Sequence, residues 1–270
     1  MLFIKRALFR FVPNLGIEFA KLTSRPRRFE LRVVEAVVPQ GALAIDIGAS
    51  WGLYTVLLRQ CTNTVAAFEP HPEKARYLTS VFRKKNVKVH SVALSDQQGE
   101  TDLIVPHASS AFATIEPNNP LSETTGSTAR IRVPLRTLND FGFQNVGFIK
   151  IDVEGHEFSV LSGACKILLR DKPILYVRLE RRHNPTGFER TVGLLAALGY
   201  RGFFWDAQLI VDLRSFNIDR DQPLDNAKGS RIKGRYIYCF LFLPATAIET
   251  TFIALKQAGF DVKLISNQTA

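Results

Sequence analysis

The sequence predicts an α/β protein with a mostly parallel sheet flanked by helices. Three observations carry this expectation. From residue 43 onward, short apolar runs alternate with segments of helical period. The first run, Leu43–Ile47, leads directly into a glycine turn and a helix. The next run ends in an acid, Glu69. Strands that alternate with helices form parallel sheets, because each crossover returns the chain to the same edge.

The elements follow in order. Leu43–Ile47 reads as a buried strand, Gly52–Gln60 as a helix and Thr64–Phe68 as the second strand. Glu73–Lys85 is helical and Val87–Val92 is the third strand. Asp102–Val105 and Ile131–Pro134 read as an antiparallel or edge insertion. Between them, residues 106–130 lack periodicity and are rich in Ser, Thr, Pro and Asn; a loop of this length is either a solvated excursion or a lid. Phe148–Val153 is a strand, Glu157–Leu169 a helix, Ile174–Leu179 a strand and Thr191–Leu198 a helix stopped by Gly199. Gly202–Trp205 and Tyr236–Leu243 are late strands, and the tail from Thr246 adds a helix and a short strand.

The chain has 270 residues, 46% hydrophobic and 22% charged, which suits a globular protein and excludes disordered and fibrous classes. Its 35 basic and 25 acidic residues give a net charge of +10. Residues 1–32 hold eight Lys/Arg against two Glu, so +6 of this charge is concentrated there. Leu8, Phe11, Val12, Leu15, Phe19 and Leu22 recur at helical spacing among those bases, with Pro13 splitting the stretch. Two readings stand: a helical cap on the main domain, or a helix making peripheral contact with an anionic membrane. No apolar run reaches the roughly 18 residues of a membrane span, and no signal-peptide pattern is present. Three scattered cysteines (Cys61, Cys165, Cys239) argue for reduced thiols and a cytoplasmic protein, and against a disulfide framework or zinc site. The expected organisation is a basic extension over 1–33, one domain over 34–245 and a packed tail over 246–270.

Two stretches carry the chemistry. The first is Ala44-Ile45-Asp46-Ile47-Gly48-Ala49-Ser50-Trp51-Gly52. Gly48 and Gly52 allow close backbone approach to a ligand, which in such sheets sits beyond the carboxyl ends of the strands. Glu69 is placed to accept both ribose hydroxyls of a nucleoside. The G-x-x-x-G spacing lacks the dinucleotide fingerprint, and an acid two residues before Gly48 disfavours a diphosphate. S-adenosylmethionine (SAM) has a sulfonium, an ammonium and no phosphate, so it fits better. Asp46, Gly48, Ala49, Ser50, Gly52 and Glu69 are its expected contacts. Asp96, in Ala93-Leu94-Ser95-Asp96, either reaches the adenine amino group or is an ordinary turn residue.

The second stretch is Phe148-Ile149-Lys150-Ile151-Asp152-Val153-Glu154-Gly155-His156-Glu157. Strand alternation puts Lys150, Asp152 and Glu154 on one side, with Lys150 expected to pair with a neighbouring carboxylate. Methyl transfer to an alcohol needs an oriented oxygen and a proton acceptor. Asp152, Glu154 and His156 are the candidates, the carboxylates favoured, with Lys150 counted in the same catalytic set, while Glu157 is assigned to the first turn of the next helix. No metal is required by these residues.

These stretches resemble the FkbM-type methyltransferases. The resemblance runs through Asp46–Gly52, Phe68-Glu69-Pro70, Ala93–Asp96, Val133–Asp140, Lys150–Glu157 (K-I-D-V-E-G-H-E), Gly163-Ala164 and Lys172–Val177. It continues to Gly199–Phe204 and Phe240–Pro244, covering roughly residues 34–245. It implies the seven-stranded class I (Rossmann-like) fold, SAM as cofactor, and methylation of a hydroxyl, less often a nitrogen, on a sugar, glycan or other small metabolite. Two positions depart from the pattern: Ser50 stands where Asn is common, and Arg178 where the strand usually ends in Glu. Glu180, two residues on, is the candidate to compensate. Arg178, Arg181, Arg182 and His183 either form a solvated loop or contact an anionic group on the acceptor. Nucleic acid is not favoured, because no recognition motif accompanies the charge. The alternatives are an NAD(P)-dependent oxidoreductase and a non-catalytic SAM-fold module that docks through its basic N-terminus.

Overall fold

The computed structural model describes residues 25–83, 85–107, 110–117, 119–120, 127–206, 209–228 and 231–263. The amphipathic stretch expected before residue 25 lies outside them. Helix α1 (Arg25–Val37) buries Leu31, Val33, Val34 and Val37 in the same core cluster as Ala44 and Val65. It runs without interruption through residue 33, the expected end of the extension.

Strand β1 (Leu43–Ile47), helix α2 (Leu53–Cys61), strand β2 (Thr64–Phe68), helix α3 (Pro72–Phe82) and strand β3 (Val87–His90) form the first half of the sheet. β1 and β2 pair in parallel from Leu43↔Thr64 to Ile47↔Phe68. Next come β4 (Ala93–Leu94), β5 (Gly99–Pro106) and β6 (Thr128–Arg136), which make a separate three-stranded sheet in the order β4-β6-β5. β5 and β6 are antiparallel, as the sequence suggests. Strand β7 (Val146–Ile151) lies parallel to β1. It stops at Ile151, so Asp152 and Glu154 sit in the turn beyond it rather than on the strand.

The segment expected as one helix over 157–169 is two, α4 (Glu157–Ser162) and α5 (Cys165–Asp171). The break falls at Gly163, where a side chain would strike the Ser95 carbonyl. Strand β8 (Ile174–Arg178), helix α6 (Gly187–Ala197), strands β9 (Tyr200–Asp206) and β10 (Leu209–Asp212), and helix α7 (Ile218–Asp221) follow. The short pair β11 (Ala227–Lys228) and β12 (Arg231–Ile232) precedes strand β13 (Cys239–Pro244), helix α8 (Ile248–Gln257) and strand β14 (Asp261–Lys263).

The main sheet has the order β14-β10-β9-β13-β8-β7-β1-β2-β3. Seven of these strands, from β9 to β3, make the expected sheet, with β13 antiparallel between β8 and β9. The two additional strands pair beyond β9, which would otherwise be an open edge.

Both faces of the sheet are buried, and alternate side chains feed two separate cores. Ala44, Val65, Phe148 and Tyr176 enter one. Ile45, Ala66, Ile149 and Val177 enter the other. Asp46 and Lys150 fall on the first face and are direct partners across β1 and β7.

Candidate active site

The carboxyl ends of β1, β2, β7 and β8 open into a cavity of about 1040 Å³. Its floor begins with the glycine turn after β1. Gly48 has φ +75°, and a side chain there would run into the backbone carbonyl of Asp152. The turns after β1 and β7 are thus in backbone contact, with the Asp152 N–H donating to the Ile47 carbonyl (3.1 Å). Gly52, at φ +86°, packs against Leu78 of α3. Ser50 also takes a positive φ, 50°, so the whole turn bends toward β2.

That bend serves Glu69. The Ser50 N–H donates to Glu69 Oε2 (2.7 Å) and the His71 N–H to Oε1 (2.9 Å). A carboxylate has about four lone-pair sites, so each oxygen keeps capacity for a ligand hydroxyl. Gly48, Ala49, Ser50 and Glu69 all line the cavity. Gly52 acts one step back, as the packing point that lets the turn close.

Asp46 is placed differently from expectation. It is fully buried and absent from the cavity wall. Its Oδ1 pairs with Lys150 Nζ (3.1 Å), and its Oδ2 accepts from the Thr55 hydroxyl (2.6 Å). Lys150 Nζ also donates to the carbonyls of Ile47 (3.1 Å) and Gly48 (2.8 Å). Lys150 therefore pairs across the sheet, not with the carboxylates that follow it, and together with Asp46 it clamps the glycine turn. Asp96 is exposed and lies off the cavity, so it is a turn residue here.

In the turn after β7, Asp152 Oδ2 accepts from Arg178 Nη1 (2.8 Å). Burial alone would raise the Asp152 carboxyl, but Arg178 and Lys150 outweigh it and hold it below the usual range. Glu154 takes a positive φ (56°), and its Oε2 lies 2.9 Å from His183 Nε2. Burial would lower the His183 imidazole; hydrogen bonds and charge from Glu154 and Glu180 overcome this and raise it to about 9. His156 lines the cavity with both ring nitrogens engaged: Nδ1 faces Glu116 Oε2 (3.0 Å) and Nε2 faces Ser95 Oγ (2.9 Å). A histidine bonded on both sides is a strut rather than a free base. Glu157 is buried in the first turn of α4 and accepts from the Gly155 N–H (3.1 Å).

The basic cluster after β8 is internally compensated. Arg178 pairs with Asp152, Arg181 with Asp219 (2.6 Å), Arg182 with Glu180 (2.5 Å) and His183 with Glu154. Arg178 also stacks over Tyr238, 4.6 Å from the ring centre. Glu180 shares the cavity wall with Arg178, beyond the end of β8.

The described residues of the loop between β5 and β6 complete the site. Residues 110–115 line the cavity. Thr114 Oγ1 (2.9 Å) and Asn119 Nδ2 (2.8 Å) both donate to the Glu154 carbonyl, and Glu116 reaches His156. Lys74 closes the far wall; only 3% exposed, it donates to the Ser110 carbonyl (2.7 Å).

Sequence reading missed Lys74 and Glu30, which both line the cavity. Each had a signal. Lys74 shares a helix face with Leu78 and Phe82, and Glu30 with Val33, Val34 and Val37. A charge inside an apolar stripe marks a buried charge with work to do.

A family model described as the methyltransferase FkbM domain matches residues 46–202, more than half of the chain. This chain belongs to the FkbM methyltransferase family. It is 24% identical over 152 residues to Methyltransferase 1 of Beauveria bassiana, covering 47% of this chain and 60% of that protein. A solved FkbM methyltransferase from Methylobacillus flagellatus is similar over 76% of this chain and 44% of its own, at 17% identity and a TM-score of 0.47. A SAM-dependent O-methyltransferase from Thermotoga maritima is similar over 81% of this chain and 65% of its own, at 14% identity and a TM-score of 0.44. The chain thus spans about three-fifths of the curated relative and under half of the first of these structures.

Proposed function

We propose that this chain transfers a methyl group from SAM to a hydroxyl of a sugar, glycan or other small metabolite. One observation carries the reading. A single cavity joins a ribose-type clasp, Glu69 with two backbone donors, to a carboxylate held ionised by arginine, Asp152 with Arg178. The clasp suits a nucleoside, and the close approach at Gly48 leaves no side chain in the way. The cavity wall carries Glu30, Glu69, Asp152, Glu154 and Glu180 against Lys74, Lys150, Arg178 and Arg182, a balance that suits a positively charged donor better than a diphosphate.

Bound there, SAM supplies an electrophilic methyl carbon on a positively charged sulfur. The protein supplies orientation and a proton acceptor. Arg178 occupies Asp152 Oδ2, which leaves Oδ1 to accept a hydrogen bond from an acceptor hydroxyl. The depressed basicity of Asp152 is no obstacle, because a hydroxyl becomes far more acidic as its oxygen bonds to carbon. Glu154, engaged with His183, is the second carboxylate in reach of the acceptor. Residues 110–115 cover part of the cavity, which limits the access of water to it.

Titration calorimetry with SAM and with NADH tests the donor. The reading expects SAM to bind and NADH not to; the reverse replaces it with an oxidoreductase. Release of S-adenosylhomocysteine across a panel of glycans and phenolic or polyol metabolites tests the transfer. SAM binding without turnover on any hydroxyl acceptor refutes the enzymatic part.

A further inference from the structure

Glu30 is the acid that the proposed chemistry leaves unused. It lies on α1, in the N-terminal part of the chain otherwise dominated by bases, and is only 7% exposed. It lines the cavity. Tyr238 OH donates to Oε1 (3.1 Å), and Tyr54 OH (3.3 Å) and Tyr176 OH (3.5 Å) reach Oε2. Burial raises Tyr54, Tyr176 and Tyr238 above the usual phenol range, so all three stay protonated donors.

The bonds to Glu30 come from neutral hydroxyls, Tyr238 and Tyr54 foremost, with the single proton of Tyr176 shared among Glu30, Tyr54 OH and Cys239 Sγ (3.1 Å each to the last two), and none of them compensates its charge. Among the described residues no Lys, Arg or His forms an ion pair with it. Arg178 feels its field, but the guanidinium is bonded to Asp152. The other cavity carboxylates differ. Asp152, Glu154 and Glu180 each have a cationic partner, and Glu69 has two backbone amides as donors. A buried carboxylate without a bonded counter-charge is costly, and an ammonium group is the ligand that relieves it, by a charge-assisted hydrogen bond to the carboxylate itself. The ring faces of Tyr54 and Tyr238 are already covered by Lys150 and Arg178.

The position of Glu30 decides which ammonium. Along the rim the strands run β8-β7-β1-β2. Glu69 ends β2, whereas Tyr176 lies on β8, Tyr238 just before β13, and Tyr54 in the first turn of α2. Glu69 and Glu30 line one cavity, so a ligand clasped by its ribose at Glu69 and extended along the rim toward β8 runs toward the Glu30 side.

We infer that Glu30 receives the α-ammonium of the amino-acid end of the donor, so that α1 completes the donor site. This rests on the SAM reading above. The test is calorimetry on the full chain with Glu30→Gln, which preserves shape and removes the charge. The probes are SAM, S-adenosylhomocysteine (ammonium without sulfonium) and 5′-methylthioadenosine (neither).

The expected result is a loss of roughly 10- to 100-fold for SAM and S-adenosylhomocysteine, the worth of one charge-assisted hydrogen bond, with 5′-methylthioadenosine unchanged. Tyr238→Phe, which loosens the carboxylate without removing it, should give a smaller loss with the same selectivity. Equal losses for all three probes would make Glu30 structural and overturn the inference. Weakening of SAM but not of S-adenosylhomocysteine would assign the contact to the sulfonium and overturn it too. If the unaltered chain binds none of the three, the donor reading itself falls, and this inference with it.

Discussion

Replacing Lys150 with methionine separates two roles that the sequence left superimposed. The K-I-D-V-E-G run made Lys150 a candidate for chemistry. In the structure its ammonium is 2% exposed, pairs with the fully buried Asp46 at 3.1 Å and bonds the carbonyls of Ile47 and Gly48. Lys150→Met keeps the volume and leaves Asp46 charged and buried with only Thr55 as partner. Breaking one side of such a pair costs about 3–5 kcal/mol. For a chain of this size each kcal/mol moves Tm by roughly 2–4 °C, so Tm should fall by roughly 6–20 °C. Pairing the change with Asp46→Asn removes the orphaned charge and should recover more than half of the loss, because the cost lies mainly in the uncompensated carboxylate. Thermal unfolding followed by circular dichroism reads both variants. If Lys150→Met melts within about 2 °C of the unaltered chain and still loses turnover, the clamp argument is wrong and Lys150 belongs to the chemistry.

Two further outcomes follow from the same geometry. Asp152→Asn should leave SAM affinity within about twofold while lowering turnover by roughly 10²–10⁴, the range for losing a general base; equal losses in both would make Asp152 structural. Glu157 gives a pH prediction. Burial raises its carboxyl from 4.5 to about 7, against the opposing Gly155 N–H. The folded state then holds the proton more tightly than the unfolded chain. The stability from that proton is complete below pH 4.5 and is lost as pH rises through 7. Glu157→Gln should flatten this slope and leave the chain about 3 kcal/mol more stable at pH 8 than its parent. Urea unfolding at pH 5 and pH 8 checks it, and an equal effect at both would refute it.

Much of the sheet was legible in the sequence because its strands are short, apolar and closed by turn residues. Leu43–Ile47 and Thr64–Phe68 match their strands residue for residue. What escaped depends on contacts distant along the chain. The two helices meet at Gly163, which has room for no side chain because the Ser95 carbonyl passes against it. β10 pairs along β9 and its run is not distinctive alone, whereas the short strand expected in the tail is β14, which pairs with β10. In the site, residue types were readable while their pairing was not. Spacing placed Lys150 near Asp152 and Glu154, but register across β1 and β7 gave it to Asp46. Asp152 went to Arg178, the very position where the family pattern expects an acid. His156 lost its freedom to Glu116, a residue of the unpatterned loop.

The ceiling of the cavity and its floor come from different parts of the chain. The floor is built from strand ends whose backbones touch, so a change there disturbs the donor clasp and the Asp152 turn at once. The ceiling is held at several points: Thr114 exchanges backbone hydrogen bonds with Ile104, the side chains of Thr114 and Asn119 bond the Glu154 carbonyl, Glu116 meets His156, and Lys74 bonds the Ser110 carbonyl. Phe112, Ala113 and Ile115 line the cavity without taking part in these bonds, so their size and polarity can change while the floor keeps its shape. A change of side chain at these three positions reshapes the space above the floor without touching the backbone contacts beneath it.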